Sequence, residues 1–131
     1  MKVVTGILLN KGKILLLKRG NRVRTYKGRW ACISGYLEED DPLRRVIKEI
    51  EEETGIKEND IRILRKGEPI KFYDEEEKIE WEVYPFIFET NRDEIKIDWE
   101  HVEYRWVGID EIDKYDTVPK LKETIKKLLN Q

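Results

Sequence analysis

Apolar residues occur along this chain in short runs, and the period of each run predicts its element. Val3 to Leu9 and Ile14 to Leu17 are rich in branched side chains and flank Asn10-Lys11-Gly12-Lys13. Branched residues suit a pleated strand and Asn and Gly suit a tight turn, so residues 3–17 predict a β-hairpin. Residues 18–29 lack apolar periodicity and predict a loop. Trp30 to Ile33 predicts a short buried strand, broken by Ser34-Gly35. Further strands are predicted at Ile61 to Leu64, Pro69 to Tyr73, Ile79 to Phe88 and Tyr104 to Val107, with Asp74-Glu75-Glu76-Glu77 as a polar turn.

Two segments change period from strand to helix. Leu43, Val46, Ile47 and Ile50 recur at helical spacing. Pro42 suits the first turn of that helix, Asp40 or Asp41 its cap, and Gly55 its stop. Leu121, Ile125, Leu128 and Leu129 form the apolar stripe of a closing helix from about Val118 to Leu129. Mostly antiparallel strands, one helix in the middle and one at the end predict an α+β fold: a mixed sheet covered by helices.

Composition narrows the class. The chain has 131 residues, enough for one domain with a real core, and no repeat or linker divides it, so one domain over residues 1–131 is expected. The formal net charge of −2 argues against a nucleic-acid partner. The single cysteine, Cys32, excludes an intrachain disulfide and a Cys-rich zinc site, and reads as a small core residue. No apolar run is long enough to span a bilayer and Met1-Lys2-Val3-Val4 leads straight into a strand, so a cytoplasmic location is expected. Abundant Lys, Glu and Ile with few Gln, Cys and Met resembles the composition of thermophile proteins.

The residues with most chemical content lie on the first helix. Positions i, i+3 and i+4 share a helix face, so Glu49, Glu52 and Glu53 project together within roughly 100°. They sit at the edge of the buried stripe. Lys48 and Arg45 offset part of their mutual repulsion, and a hard divalent cation with oxygen ligands would offset the rest. A solvated, ion-paired face is the alternative reading of the same helix in a chain that is 41% charged.

From Gly35 to Ile56 the segment GYLEEDDPLRRVIKEIEEETGI resembles the Nudix box, G-x5-E-x7-R-E-U-x-E-E-x-G-U, in which U is a bulky aliphatic residue. Glu49, Ile50, Glu52, Glu53, Gly55 and Ile56 fall in register. Lys48 stands for the Arg and Asp40 for the first Glu, and one residue is missing from the loop after Gly35. The run Glu100-His101-Val102-Glu103-Tyr104-Arg105-Trp106 is similar to a later Nudix segment that enters the final strand, so the resemblance covers most of the chain.

The resemblance implies an α/β/α sandwich and hydrolysis of the pyrophosphate bond in a nucleoside diphosphate linked to another group. It implies that Glu49, Glu52 and Glu53, with the Gly35 carbonyl, ligate Mg2+ or Mn2+, and that Lys48 orients a box glutamate. Glu52 is the first choice of general base, with Glu100 or Glu103 as the alternative. The partner is a small nucleotide and the chain a monomer or homodimer. Nucleoside triphosphates, dinucleoside polyphosphates and ADP-ribose all remain open as substrates, and a non-catalytic nucleotide-sensing module is the second reading.

Lys18, Arg19, Arg22, Arg24, Lys27 and Arg29 place six cations in residues 18–29 with no acid among them. A phosphate clamp is one reading, with Arg24 and Arg29 nearest the box; a solvated connection is the other. Tyr36 and Trp30 are the aromatic candidates for substrate contact, Tyr36 by its place next to Gly35, while Trp81, Trp99 and Trp106 also stand as candidates for stacking. His101, the only histidine, reads as structural.

Overall fold

The predicted hairpin forms, but its strands soon part. β1 (Lys2–Asn10) and β2 (Lys13–Arg19) are joined by Lys11 and Gly12, at φ of 50° and 78°, the pair of left-handed residues that a tight two-residue hairpin turn requires. Only Leu9↔Ile14 and Asn10↔Lys13 pair before the strands diverge. The computed structural model describes residues 1–130; Gln131, the last residue of the expected domain, lies outside them.

Divergence of β1 and β2 opens a gap that the next segment fills. The strand expected at residues 30–33 is split at Cys32: β3 (Trp30–Ala31) pairs with β2, and β4 (Ile33–Tyr36) pairs with β1. Ser34-Gly35 does not break the strand but continues it, because β1 supplies a partner as far as Val3↔Tyr36. On its other side β1 runs parallel to β7 (Ile79–Thr90) over eight residue pairs, Lys2↔Glu82 to Leu9↔Glu89. A parallel pair needs a long crossover, so no local pattern announces it. β5 (Ile61–Lys66) and β6 (Ile70–Asp74) pair with opposite halves of β7, and β8 (His101–Gly108) pairs with β2.

Alternation along the strands divides the core in two. Val4, Leu8, Leu15, Leu17, Phe86 and Phe88 point to one face and pack with Val46 and Ile50 of α1 (Pro42–Thr54). Ile7, Ile14, Leu16 and Ile87 point to the other and pack with Leu121, Ile125 and Leu128 of α2 (Leu121–Leu129). The expected α+β class holds, as a mixed eight-stranded sheet between helices. α2 begins at Leu121, the first residue of its apolar stripe, and not near Val118 as expected: Lys120 at φ 67° follows Pro119, and a left-handed residue cannot extend a helix backwards. No helix among the described residues is long and apolar enough to cross a membrane.

α1 carries the acidic residues, and three local features fix its place. The Asp41 side chain accepts from the Arg44 amide at 3.1 Å, Pro42 fills the first turn, and Gly55 at φ 79° ends the helix. Gly6 lets it lie close on β1, since a Cβ there would stand 3.0 Å from Val46 Cγ2.

Candidate active site

Val46 and Ile50 are fully buried, and this anchors the rotation of α1 and brings its glutamates to the end of the sheet. Glu53 is drawn inside with them at 2% exposure, Glu49 is half-buried, and Glu52 stays exposed. Gly35 of β4 lies against Glu49, so that a Cβ on residue 35 would overlap the Glu49 carboxylate. Glu100, just before β8, lines the same cavity as Glu49 and Gly35.

These carboxylates perturb one another. Burial, and then the neighbouring Glu52 charge, pushes Glu49 up to about 7. Burial does most to hold Glu53 well above the usual carboxylate range, with Glu49, Glu100 and Asp98 adding to it. Glu100 is raised by burial and by Asp98, against the lowering effect of Arg19. Among the described residues no three His, Cys, Asp or Glu side chains are already gathered into a ready metal centre. Yet Glu49 Oε2 and Glu53 Oε2 are both buried with no hydrogen-bond partner. Buried carboxylate oxygens without partners are costly, and oxygen-seeking divalent cations satisfy that kind of donor set. The residues therefore fit a divalent metal.

Other residues fall differently from their sequence expectations. Lys48 is exposed and has no ion pair or hydrogen bond among the described residues, so its expected orienting role lacks a contact. Arg45, one turn earlier, donates from Nε to Asp40 at 2.7 Å, and its charge lowers Glu49. Glu103 sits on β8 opposite Lys18 and pairs with Arg105 at 2.7 Å, away from the cavity lining that includes Glu100. Arg24 is exposed, and Arg29 lies 3.6 Å from Glu76 and 4.0 Å from Asp116; neither lines the cavity. Trp30 is a core residue, edge-on to Tyr115 at 5.3 Å on the α2 side of the sheet. Tyr36 does line the cavity and is 49% exposed.

Arg19, Asp98 and His101 also belong to the neighbourhood of the glutamates. Arg19 is the one cation of residues 18–29 that lines the cavity, held by Nε donation to the Thr25 carbonyl at 2.9 Å. Its membership in the basic run of residues 18–29 was the available signal. His101 is buried, with Nδ1 2.8 Å from Asp98 Oδ1 and Nε2 3.8 Å from Glu53 Oε1. Burial lowers its pKa, which favours the neutral ring. Its spacing from Asp98 was visible in sequence, but its approach to Glu53 was not.

This mixed sheet between helices is a fold shared by many solved structures. Escherichia coli dihydroneopterin triphosphate pyrophosphohydrolase superposes with a TM-score of 0.83 at 14% identity, covering 99% of this chain and 96% of that one. A Caenorhabditis elegans Ap4A hydrolase complex gives 0.80 at 17%, covering 96% and 93%. The MutT protein of Methanosarcina mazei Go1 gives 0.75 at 26%, covering 97% and 91%. No curated protein sequence matches the chain. The chain belongs to the NUDIX domain family, whose family model matches residues 1–128, and is accordingly a pyrophosphohydrolase.

Proposed function

We propose that the protein hydrolyses the pyrophosphate bond of a small nucleotide with a divalent metal held by Glu49, Glu52 and Glu53. The pair of buried, partnerless oxygens on Glu49 and Glu53 carries this reading. The Gly35 carbonyl is the additional ligand that the family resemblance supplies. Bound there, Mg2+ or Mn2+ would neutralise developing charge on the phosphates and activate water.

The chain's own residues do the rest. Arg19 at the cavity wall holds a phosphate oxygen, a task suited to a guanidinium already fixed by Thr25. Glu100 takes the proton of the attacking water: it lines the cavity and its raised pKa brings it closer to neutral pH. Glu52, the other candidate base, lies on the exposed side of the face and completes the ligand set. The relatives' substrates, Ap4A and dihydroneopterin triphosphate, share a heteroaromatic ring system and a polyphosphate, and a heteroaromatic base carrying phosphates is the class proposed here.

Magnesium-dependent phosphate release on a panel of nucleoside triphosphates, dinucleoside polyphosphates and ADP-ribose tests the reading. Glu49→Gln should abolish release, and Glu100→Gln should lower kcat by roughly 100-fold. If wild type and Glu49→Gln both gave background rates while nucleotide still bound, the sensing-module reading would replace this one.

A further inference from the structure

The cavity of about 220 Å³ beside Glu49 extends away from the carboxylates over one face of the sheet, and the proposed metal chemistry does not use that extension. The register shows how the floor is built. Val3 pairs with Tyr36 on one side and Val83 on the other, and Phe72 pairs with Trp81. These side chains, on β4, β1, β7 and β6, all line the cavity. The Tyr36 and Trp81 rings are 6.3 Å apart and only 23° from parallel. The opposite wall is the irregular segment before α2, including Val118 and Pro119, which Lys120 at φ 67° turns toward the sheet. A largely apolar slot with Tyr36 and Trp81 in its floor and Glu49, Glu100 and Arg19 also in its lining suits a flat aromatic ligand that carries phosphates.

The far end of the slot is locked by a hydrogen-bond chain. Trp81 Nε1 donates to the Tyr26 hydroxyl at 3.1 Å, and that hydroxyl donates to buried Asp74. Tyr26 reaches this position from the basic loop with φ of 53°, a left-handed conformation that costs a bulky side chain. Asp74 in turn accepts from the Glu76 amide at 3.0 Å. The chain fixes the plane of the Trp81 ring. It also engages the Trp81 N–H and Tyr26 O–H within the protein, leaving neither to read the edge of a ligand.

We propose that this slot is a single-base subsite, in which one nucleobase stacks on Tyr36 and Trp81, with Tyr26 and Asp74 as positioning residues that hold Trp81. It rests on the nucleotide reading above and narrows it. Recognition is by stacking and shape, so the subsite accepts purines and pyrimidines with little preference.

Neutral nucleosides test this without metal or turnover. The indole N–H resonance of Trp81 in labelled protein, assigned by its loss in Trp81→Phe, is followed in chelator during titration with adenosine, guanosine, cytidine or ribose. Each nucleoside should move it, with affinities within roughly tenfold of one another, and ribose should not. Tyr36→Ala, at a half-exposed position, should weaken all three by roughly tenfold. Tyr26→Phe should shift the Trp81 resonance in the free protein and weaken nucleosides with it, and a variant that binds them as wild type does removes the positioning role. Equal responses to ribose and adenosine, an unchanged Tyr36→Ala, or a hundredfold preference for one base would overturn the subsite. A protein that binds nucleosides as stated but releases no phosphate with magnesium fails the hydrolase reading alone.

Discussion

Gly35→Ala puts the greatest demand on the proposed site with the smallest change. Gly35 lies in β4 outside the left-handed region, so alanine fits its backbone and recovers part of glycine's entropic cost in a strand. The three heavy atoms nearest the added methyl all belong to the Glu49 side chain. The alanine Cβ would stand 2.5 Å from Glu49 Cγ, where ordinary contact begins near 3.4 Å. Glu49 must therefore retreat by about 1 Å, a misplacement that costs on the order of 100-fold in rate when it affects a catalytic group. That corresponds to about 2.7 kcal/mol of transition-state stabilisation. Steady-state phosphate release at saturating magnesium, with a thermal melt of the metal-free protein, separates the two effects. Turnover should fall by about two orders of magnitude while the melting midpoint stays level or rises slightly. A variant turning over within threefold of wild type refutes the reasoning, because Glu49 would then not need its place against Gly35. A midpoint that drops along with activity refutes it differently, by making the glycine structural.

Three further outcomes are expected. Arg45→Ala should lower kcat by roughly tenfold or more, and by more than Lys48→Ala does, because Arg45 and not Lys48 is paired with Asp40 and adjoins Glu49; equal losses in the two variants would restore Lys48 to the orienting role. Glu49, at about 7 when folded, binds its proton more tightly than in the unfolded chain, so its stabilising contribution is complete below about pH 4.5 and lost as pH rises through 7. Melts of metal-free Glu49→Gln against wild type should therefore diverge in the variant's favour from pH 4.5 to 7, by about 1 kcal/mol once solvent screening is allowed for, and magnesium should stabilise wild type preferentially. Ile50→Ala, at a fully buried position of α1, should cost about 2–5 kcal/mol in chemical denaturation; a cost below about 1 kcal/mol would mean that α1 is not held by this stripe.

Local patterns carried a large part of this protein. The turn at Lys11-Gly12, the caps of α1 at Asp41 and Gly55, and the shared face of Glu49, Glu52 and Glu53 follow from residue chemistry within a few positions. The box register from Glu49 to Ile56 belongs to the same short range. Contacts between distant segments did not follow. The parallel pairing of β1 with β7 joins residues about eighty positions apart, and no period records it. That pairing sets Val3 beside Val83 and so creates the aromatic floor, assembled from Tyr36, Phe72 and Trp81 on three strands. The same holds around the glutamates. A helical wheel places three carboxylates on one face but not how deeply each sinks, which depends on Val46 meeting Gly6 and Glu49 meeting Gly35. Sequence pointed to Lys48 because the box has a cation there. In the fold it is Arg45 that is paired, because Asp40 comes within 2.7 Å of its guanidinium, and an ion pair forms where two charges can reach each other.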